Sequence, residues 1–277
     1  MFRKTPGFRV FFWIFTVTIG GFIFLPLLWM INTALKPAAE TFTLDFFTGT
    51  KTMENFAHIV TDGKIMRYLR NSLLVSFGSS LMATIVCAFA AYSFSKFRYR
   101  GRKLVMGLFM MSQAFPQAIL LLSIYVLMQK TGLLGSYWAL LISYVVFTLP
   151  VGTWTLKSYF DQLPDSLIEA AVIDGAGDLT IMRKIVMPLI RSPLATVAIL
   201  SFSSAWTSVE ASTYYIDNDS LKNFAFYVST LSNASGNVVA GAGVSAAASL
   251  IMFLPSLILF IIMQSRVMNS MAHSGIK

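Results

Sequence analysis

The chain has 277 residues, of which 56% are hydrophobic and only 12% charged, with a formal net charge of +9 and a mean hydropathy of +0.69. Soluble domains carry about 25% charged residues, so a water-soluble globular domain is excluded, and the basic residues flank apolar runs, which fits lipid headgroups and topology rather than nucleic acid. One cysteine, Cys87, excludes an internal disulfide, and two distant histidines, His58 and His273, have no metal-ligand spacing.

A membrane-crossing helix needs about 20 apolar residues, and open strands are barred from lipid by their unpaired backbone groups. In chain order, the charge-free windows are Val10–Leu35, Asn71–Ser95, Leu104–Gln129, Thr131–Leu156 and Ser192–Val209, the last reaching about residue 212. A sixth lies within Asn223–Ser265, its greasiest part at Ala246–Met263 and its span taken as about 246–265. These predict six transmembrane helices in one membrane domain over residues 1–277. The first run exceeds the 7–15 residues of a signal-peptide core and reads as a retained span. Gly20, Gly21 and Gly78 suggest close helix approach, Asn71 a cap on the second span, and Cys87 a small apolar filler.

With the N-terminus inside, 14 of the 21 lysines and arginines fall on the inner side, including the tight cluster Lys96–Lys103. Positively charged loops stay cytoplasmic, so both termini are expected there. The segment Lys36–Leu69 is then an outer loop or a set of short amphipathic helices. The segment 214–244, with its Asn233-Ala234-Ser235-Gly236 run, reads as an exposed outer connector that senses a partner or merely joins two spans.

The inner loop 157–191 is unusually long and polar. Pro164 suits a first helical turn, and Asp165 favours its positive end. Gly175 is placed to end that helix in a left-handed conformation, Asp178 to cap a second helix, and Pro188 to close it. Two short helices meeting at Gly175 are predicted. Ala170 and Ala171 leave room for another surface, while Leu167, Ile168 and Val172 form an apolar patch. Either a partner covers that patch or the pair lies on the inner leaflet; periodicity alone does not choose.

The residues Glu169-Ala170-Ala171, Asp174-Gly175-Ala176 and Ile185, Met187-Pro188-Leu189 resemble the EAA signature of binding-protein-dependent ABC importer permeases. Gly177, Met182 and Met187 depart mildly from it. The likeness extends through Arg70-Asn71-Ser72, Phe97-Arg98-Tyr99-Arg100-Gly101, Pro116, Leu149-Pro150, Pro164, Trp206, Pro255 and Gln264 to carbohydrate-type, maltose-permease-like subunits, over roughly residues 20–277.

That resemblance implies an all-α integral membrane protein with the type I ABC importer permease fold and cytoplasmic EAA coupling helices. It implies a non-catalytic subunit in a bacterial or archaeal plasma membrane. Its partners would be a second, related permease, two ATPase subunits that use ATP and Mg, and an extracytoplasmic sugar-binding protein. The coupling set would be Glu169, Ala170, Ala171, Asp174, Gly175, Ala176 and Pro188. The solute is implied to be a sugar, with a non-sugar solute such as a glycerol phosphate ester as the alternative.

On the fifth window, Ser203, Ser204, Trp206, Thr207 and Glu210 are candidates for the solute path. An aromatic ring stacks on a sugar face, hydroxyls bond its OH groups, and an ionisable group at a span end is a functional candidate. The family's Trp-Asn-Asp/Glu-Phe is here Trp206-Thr207-Ser208-Val209-Glu210. An ion-driven transporter would want paired ionisable residues at mid-membrane or repeat symmetry, and an enzyme would want a nucleophile–base or His/Asp/Glu cluster. The windows hold neither, and no Walker phosphate loop occurs in the chain.

Overall fold

The computed structural model describes residues 6–41, 43, 46, 49–233 and 238–274, and every element among them is helical. In chain order these are α1 (Pro6–Ala34), α2 (Glu54–Thr61), α3 (Gly63–Lys96), α4 (Arg102–Met111), α5 (Gln117–Lys130), α6 (Tyr137–Phe160) and α7 (Asp165–Ile173). Then come α8 (Asp178–Ile181), α9 (Met187–Leu189), α10 (Arg191–Thr207), α11 (Glu210–Tyr215), α12 (Phe224–Asn233) and α13 (Val238–Ser274).

Four helices are long and apolar enough to cross a membrane alone: α1, α3, α6 and the Gly241–Ile262 stretch of α13. Two bent pairs raise the number to six if each counts as one span. The third predicted window is one of these. It breaks between α4 and α5, whose axes differ by 111°. The cause is local: the ring of Pro116 bars Phe115 from the helical region, and Phe115 sits extended at φ −81°, ψ 139°. The other pair turns by 84° at Ile190, just before α10.

The chain divides into two compact units. The first comprises residues 1–66 and 228–253. The apolar face of α1 is bare in this chain: no residue of its spanning window is buried. Within this chain a Cβ at Gly20 or Gly21 would meet nothing within 4 Å, so neither glycine serves a close helix approach inside the chain itself. At the far end of α1, buried Asn55 of α2 donates from Nδ2 to the carbonyls of Ala34 and Lys36, both at 2.9 Å. Gly243 of α13 lies against that carboxamide, where a Cβ would come within 2.7 Å of Asn55 Nδ2.

The second unit, residues 67–227 and 254–277, holds two apolar clusters. One unites α3, α6, α7 and α10 through Cys87, Ala91, Tyr92, Leu156, Phe160, Ala171 and Val197. Small residues make it tight. A Cβ on Gly152 of α6 would stand 2.7 Å from Cys87 Sγ and 3.1 Å from Val197 Cγ1. Gly78 similarly abuts Leu141 Cδ2, at 2.9 Å from a Cβ, as expected of it. The other cluster joins Val75, Leu121, Leu140, Tyr144, Ala205 and Tyr215.

Asn71 does not cap a span. It lies inside α3 with 0% exposure, and its carboxamide is a hub. Its Nδ2 donates to the carbonyls of Ser220 and Lys222, both at 2.9 Å, and its Oδ1 accepts from Tyr137 Oη at 2.8 Å. Ser72 Oγ accepts from Phe224 N, Tyr68 Oη donates to Asp219, and Asn223 Nδ2 donates to the Ser208 carbonyl. The start of the expected outer connector is therefore pinned and partly helical. Ala234, Ser235 and Gly236 of its polar run lie outside the described residues.

Candidate functional site

Two places matter most: the helical corner 161–190, which carries the coupling candidates, and the groove beside α11, which takes one of the solute-path candidates. The corner begins where α6 ends. Pro164 takes the cap position and Asp165 the first turn of α7, one residue later than expected of the proline. At the other end the backbone closes a Schellman motif, with Ala176 N donating to Ala171 O at 2.9 Å and Gly175 N to Val172 O at 3.0 Å. Gly175 stands at φ +79°, the left-handed conformation that motif requires.

Ala171 and Ala176, joined across this motif, both face the cluster of α3, α6 and α10. Ala171 is 6% exposed, so the helix is anchored by the side opposite its free face. The free face carries Glu169, Ala170 and Asp174, all exposed, together with Leu167, Val172, Ile173 and Leu179. Ile173 is 86% exposed. Ile168, counted in the apolar patch by sequence, instead packs inward.

Pro188 does not close the second helix. Gly177 rather than Asp178 takes the cap position, and α8 runs into a π-helical turn, Met182–Val186, before α9. Met187 N donates to Met182 O, five residues back, and the proline without an N–H follows it within α9. A π turn re-sorts the backbone bonds, so the proline rides in the helix, and the sharp turn comes two residues later at Ile190.

The corner has fasteners that sequence spacing did not show. Lys96, the last residue of α3, donates to the Leu163 carbonyl at 2.8 Å and to Asp165 Oδ1 at 2.7 Å. Asp161 accepts from Ser95 Oγ at 2.6 Å and from Lys157 Nζ at 2.5 Å. The hydrogen bond from Lys96, then its charge, holds the Asp165 carboxyl below its ordinary value. For Asp161 burial pushes upward, but the hydrogen bonds from Lys157 and Ser95 and the charges of Lys157 and Lys96 outweigh it, and the carboxyl is again lowered.

The second place is a cavity of about 520 Å³ whose wall comes from the start of α5 and from α11. Gln117, Tyr125, Glu210, Thr213 and Tyr214 supply its polar groups, with Leu121 and Leu122 as apolar floor. The tyrosine next to Tyr214, Tyr215, is buried, and its hydroxyl donates to Leu121 O at 2.7 Å, which ties α11 to α5. Ser208 Oγ lies 3.4 Å from Glu210 Oε2. The lining has no lysine or arginine.

Of the sequence candidates for the solute path, Glu210 alone lines this cavity. Ser203, Ser204 and Thr207 lie on an unburied side of α10, with Thr207 Oγ1 turned back to the Ser203 carbonyl. Trp206 is 1% exposed and stacked on Phe202, centroids 5.7 Å apart, so its face does not reach a ligand; it is a core residue. Ser201 is buried and accepts from Thr148 of α6. Sequence reasoning missed Gln117, Thr213 and Tyr214. The break at Pro116 was the available signal, because interrupted membrane helices expose polar groups at mid-depth.

Helices long and apolar enough to span a membrane, a bent helix pair beside a polar-rimmed cavity, and a helical corner anchored on the bundle describe a multi-pass membrane component of a transport system. The chain belongs to the family described as "Binding-protein-dependent transport system inner membrane component", whose profile matches residues 80–267. It is 29% identical over 267 residues to the maltodextrin transport system permease protein MdxG of Bacillus subtilis (strain 168), covering 96% of this chain and 95% of that protein. It is 29% identical over 254 residues to the sulfoquinovosyl glycerol transport system permease protein SmoH of Agrobacterium fabrum, covering 91% and 88%. Its fold is shared by a chain of a bacterial ABC transporter involved in the import of the acidic polysaccharide alginate, with a TM-score of 0.82 at 20% identity over 96% of this chain.

Proposed function

We propose that this chain is one permease subunit of an ATP-driven importer of a sugar, most simply an oligosaccharide, acting as a single transmembrane domain of six spans with both termini cytoplasmic. Each bent helix pair then counts as one span. The observation that carries the coupling half of this reading is the corner at Gly175. It is anchored through Ala171 and Ala176, yet it holds Val172, Ile173, Glu169 and Ala170 out to solvent. An exposed apolar surface of this kind, rimmed by a carboxylate, marks a site for a partner. A cytoplasmic ATPase subunit with ATP and Mg is the proposed partner. Glu169 would supply charge to its groove, Asp174 and Gly175 the presenting turn, and Pro188 the stiff return to α10. A second, related permease would complete the pore, and a sugar-loaded binding protein would deliver the solute from the other side.

The solute half rests on the cavity by α11. Aromatic rings, a carboxamide and a carboxylate suit hydroxyl-rich ligands. A phosphate ester would meet Glu210 with no basic group in the lining to offset it. Both relatives named above are, by their names, permeases for glycosides, and the chain resembles them over nearly its whole length. The test is to purify the chain with its co-purifying subunits in lipid and measure ATP hydrolysis with binding proteins loaded with different solutes. Stimulation by an oligosaccharide is expected. Stimulation by a phosphate ester alone would overturn the sugar assignment, and the absence of any bound ATPase would overturn the coupling.

A further inference from the structure

The inner ends of α4 and α6 enclose a groove of about 560 Å³ that the transport reading does not use. Its mouth holds Arg102, Lys103 and Lys157, and its wall continues with Met106, Met110 and Trp154. Residues 102, 106 and 110 recur every fourth position and so lie along one stripe of α4, about 12 Å long at 1.5 Å per residue. Gly107 forms part of the floor, and a Cβ placed there would meet nothing within 4 Å, so the groove is open at mid-length. Trp154 is exposed. A second opening, about 500 Å³, shares Arg102 and Lys103 and adds Arg98 and Arg100.

The charges at the mouth are not all free. Arg102 donates from Nη1 to the carbonyls of Ser95 and Phe97, and Lys157 is shared with Asp161. Lys103 is exposed beside them. Asp161 is the carboxylate facing Lys157, and the basic groups around the mouth outnumber it.

We propose that this groove binds an anionic phospholipid, its phosphate between Lys103, Arg102 and Lys157 and an acyl chain along Met106, Gly107 and Met110 under Trp154. Three features set it apart from basic residues that only orient the chain. The cations converge on one mouth, the mouth opens into an apolar trough rather than onto a flat surface, and an exposed tryptophan, the side chain favoured at membrane interfaces, lines that trough. Guanidinium and ammonium groups are the donors that match a phosphate diester, and a zwitterionic headgroup returns part of that attraction through its own cation.

The experiment uses the full chain with its co-purified partners in nanodiscs of equal phosphatidylglycerol and phosphatidylcholine, followed by native mass spectrometry of the released complex. Phosphatidylglycerol is expected to be retained over phosphatidylcholine. Lys103→Gln should lower its retention about fivefold, as for one basic residue lost near an anionic surface. Gly107→Leu, whose Cβ meets no atom within 4 Å and whose side chain would occupy the trough, should lower retention of both lipids, and Lys130→Gln at the far end of α5 should change nothing. Equal retention of the two lipids, or equal loss in the Lys103 and Lys130 variants, would overturn the proposal. Displacement by soluble glycerol phosphate with no effect of Gly107→Leu would make the mouth a small-anion site and overturn it as well.

Discussion

Lys96 Nζ lies 2.7 Å from Asp165 Oδ1, so the last residue of α3 holds the first residue of α7. The same ammonium also reaches the Leu163 carbonyl. The lysine side chain is largely buried and the aspartate largely exposed, so the pair acts as a positioning contact more than as a store of stability. Lys96→Met is expected to leave the complex folded but to loosen α7. Solute uptake should fall more than basal ATP hydrolysis, which transport and ATPase assays on one preparation would read separately. Equal loss of both activities would mean the contact only holds the protein together.

The corner should loosen in acid. Both Asp161 and Asp165 have carboxyls lowered from 3.8, so their contribution is fully present above that ordinary value. It is lost as pH falls through the lower folded-state values. Hydrogen exchange of residues 161–176 should therefore be flat from pH 7 to about 5, after correction for intrinsic rates, and rise below about pH 4. Asp161→Asn should remove part of that rise.

Gly175→Ala tests the left-handed turn alone, because a Cβ there meets no other atom within 4 Å. The backbone conformation costs an L-residue about 1–2 kcal/mol. Chemical denaturation should show that loss, and ATPase-coupled uptake should fall with it. Gly175→Asn, which tolerates this conformation better, should recover part of both.

At the helix crossing, Gly152→Ala should destabilise by about 1–3 kcal/mol, since the new methyl would sit on Cys87 Sγ. Cys87→Ala removes that sulfur, and the double variant should be more stable than Gly152→Ala alone. A double-mutant cycle measured by thermal unfolding gives the coupling, and additivity would show that the two sites do not touch.

Trp206→Ala and Glu210→Gln should separate core from cavity. The tryptophan change opens a buried void beside Phe202 and should cost about 3–5 kcal/mol in stability. The glutamate change should leave stability nearly untouched, because the side chain is exposed, and should raise acceptance of acidic sugars in competition uptake assays. Unchanged discrimination between neutral and acidic sugars would remove Glu210 from the solute path.

Composition and charge spacing alone determined that this chain is helical and lives in a membrane, because burial in lipid is a sum over residues that a window can read. Local backbone chemistry likewise exposed the corner: Pro164, Asp165 and Gly175 carry turn and cap preferences that need no distant partner. Pro116 shows the limit of the window, which saw an unbroken apolar run and was blind to the torsion the proline imposes. Tertiary structure alone placed Trp206 in the core, made Asn71 a hub for residues some 150 positions away, tied Lys96 to Asp165 and brought α5 against α11 to form the cavity. Those facts depend on direction and on contacts between remote segments, and hydropathy carries neither.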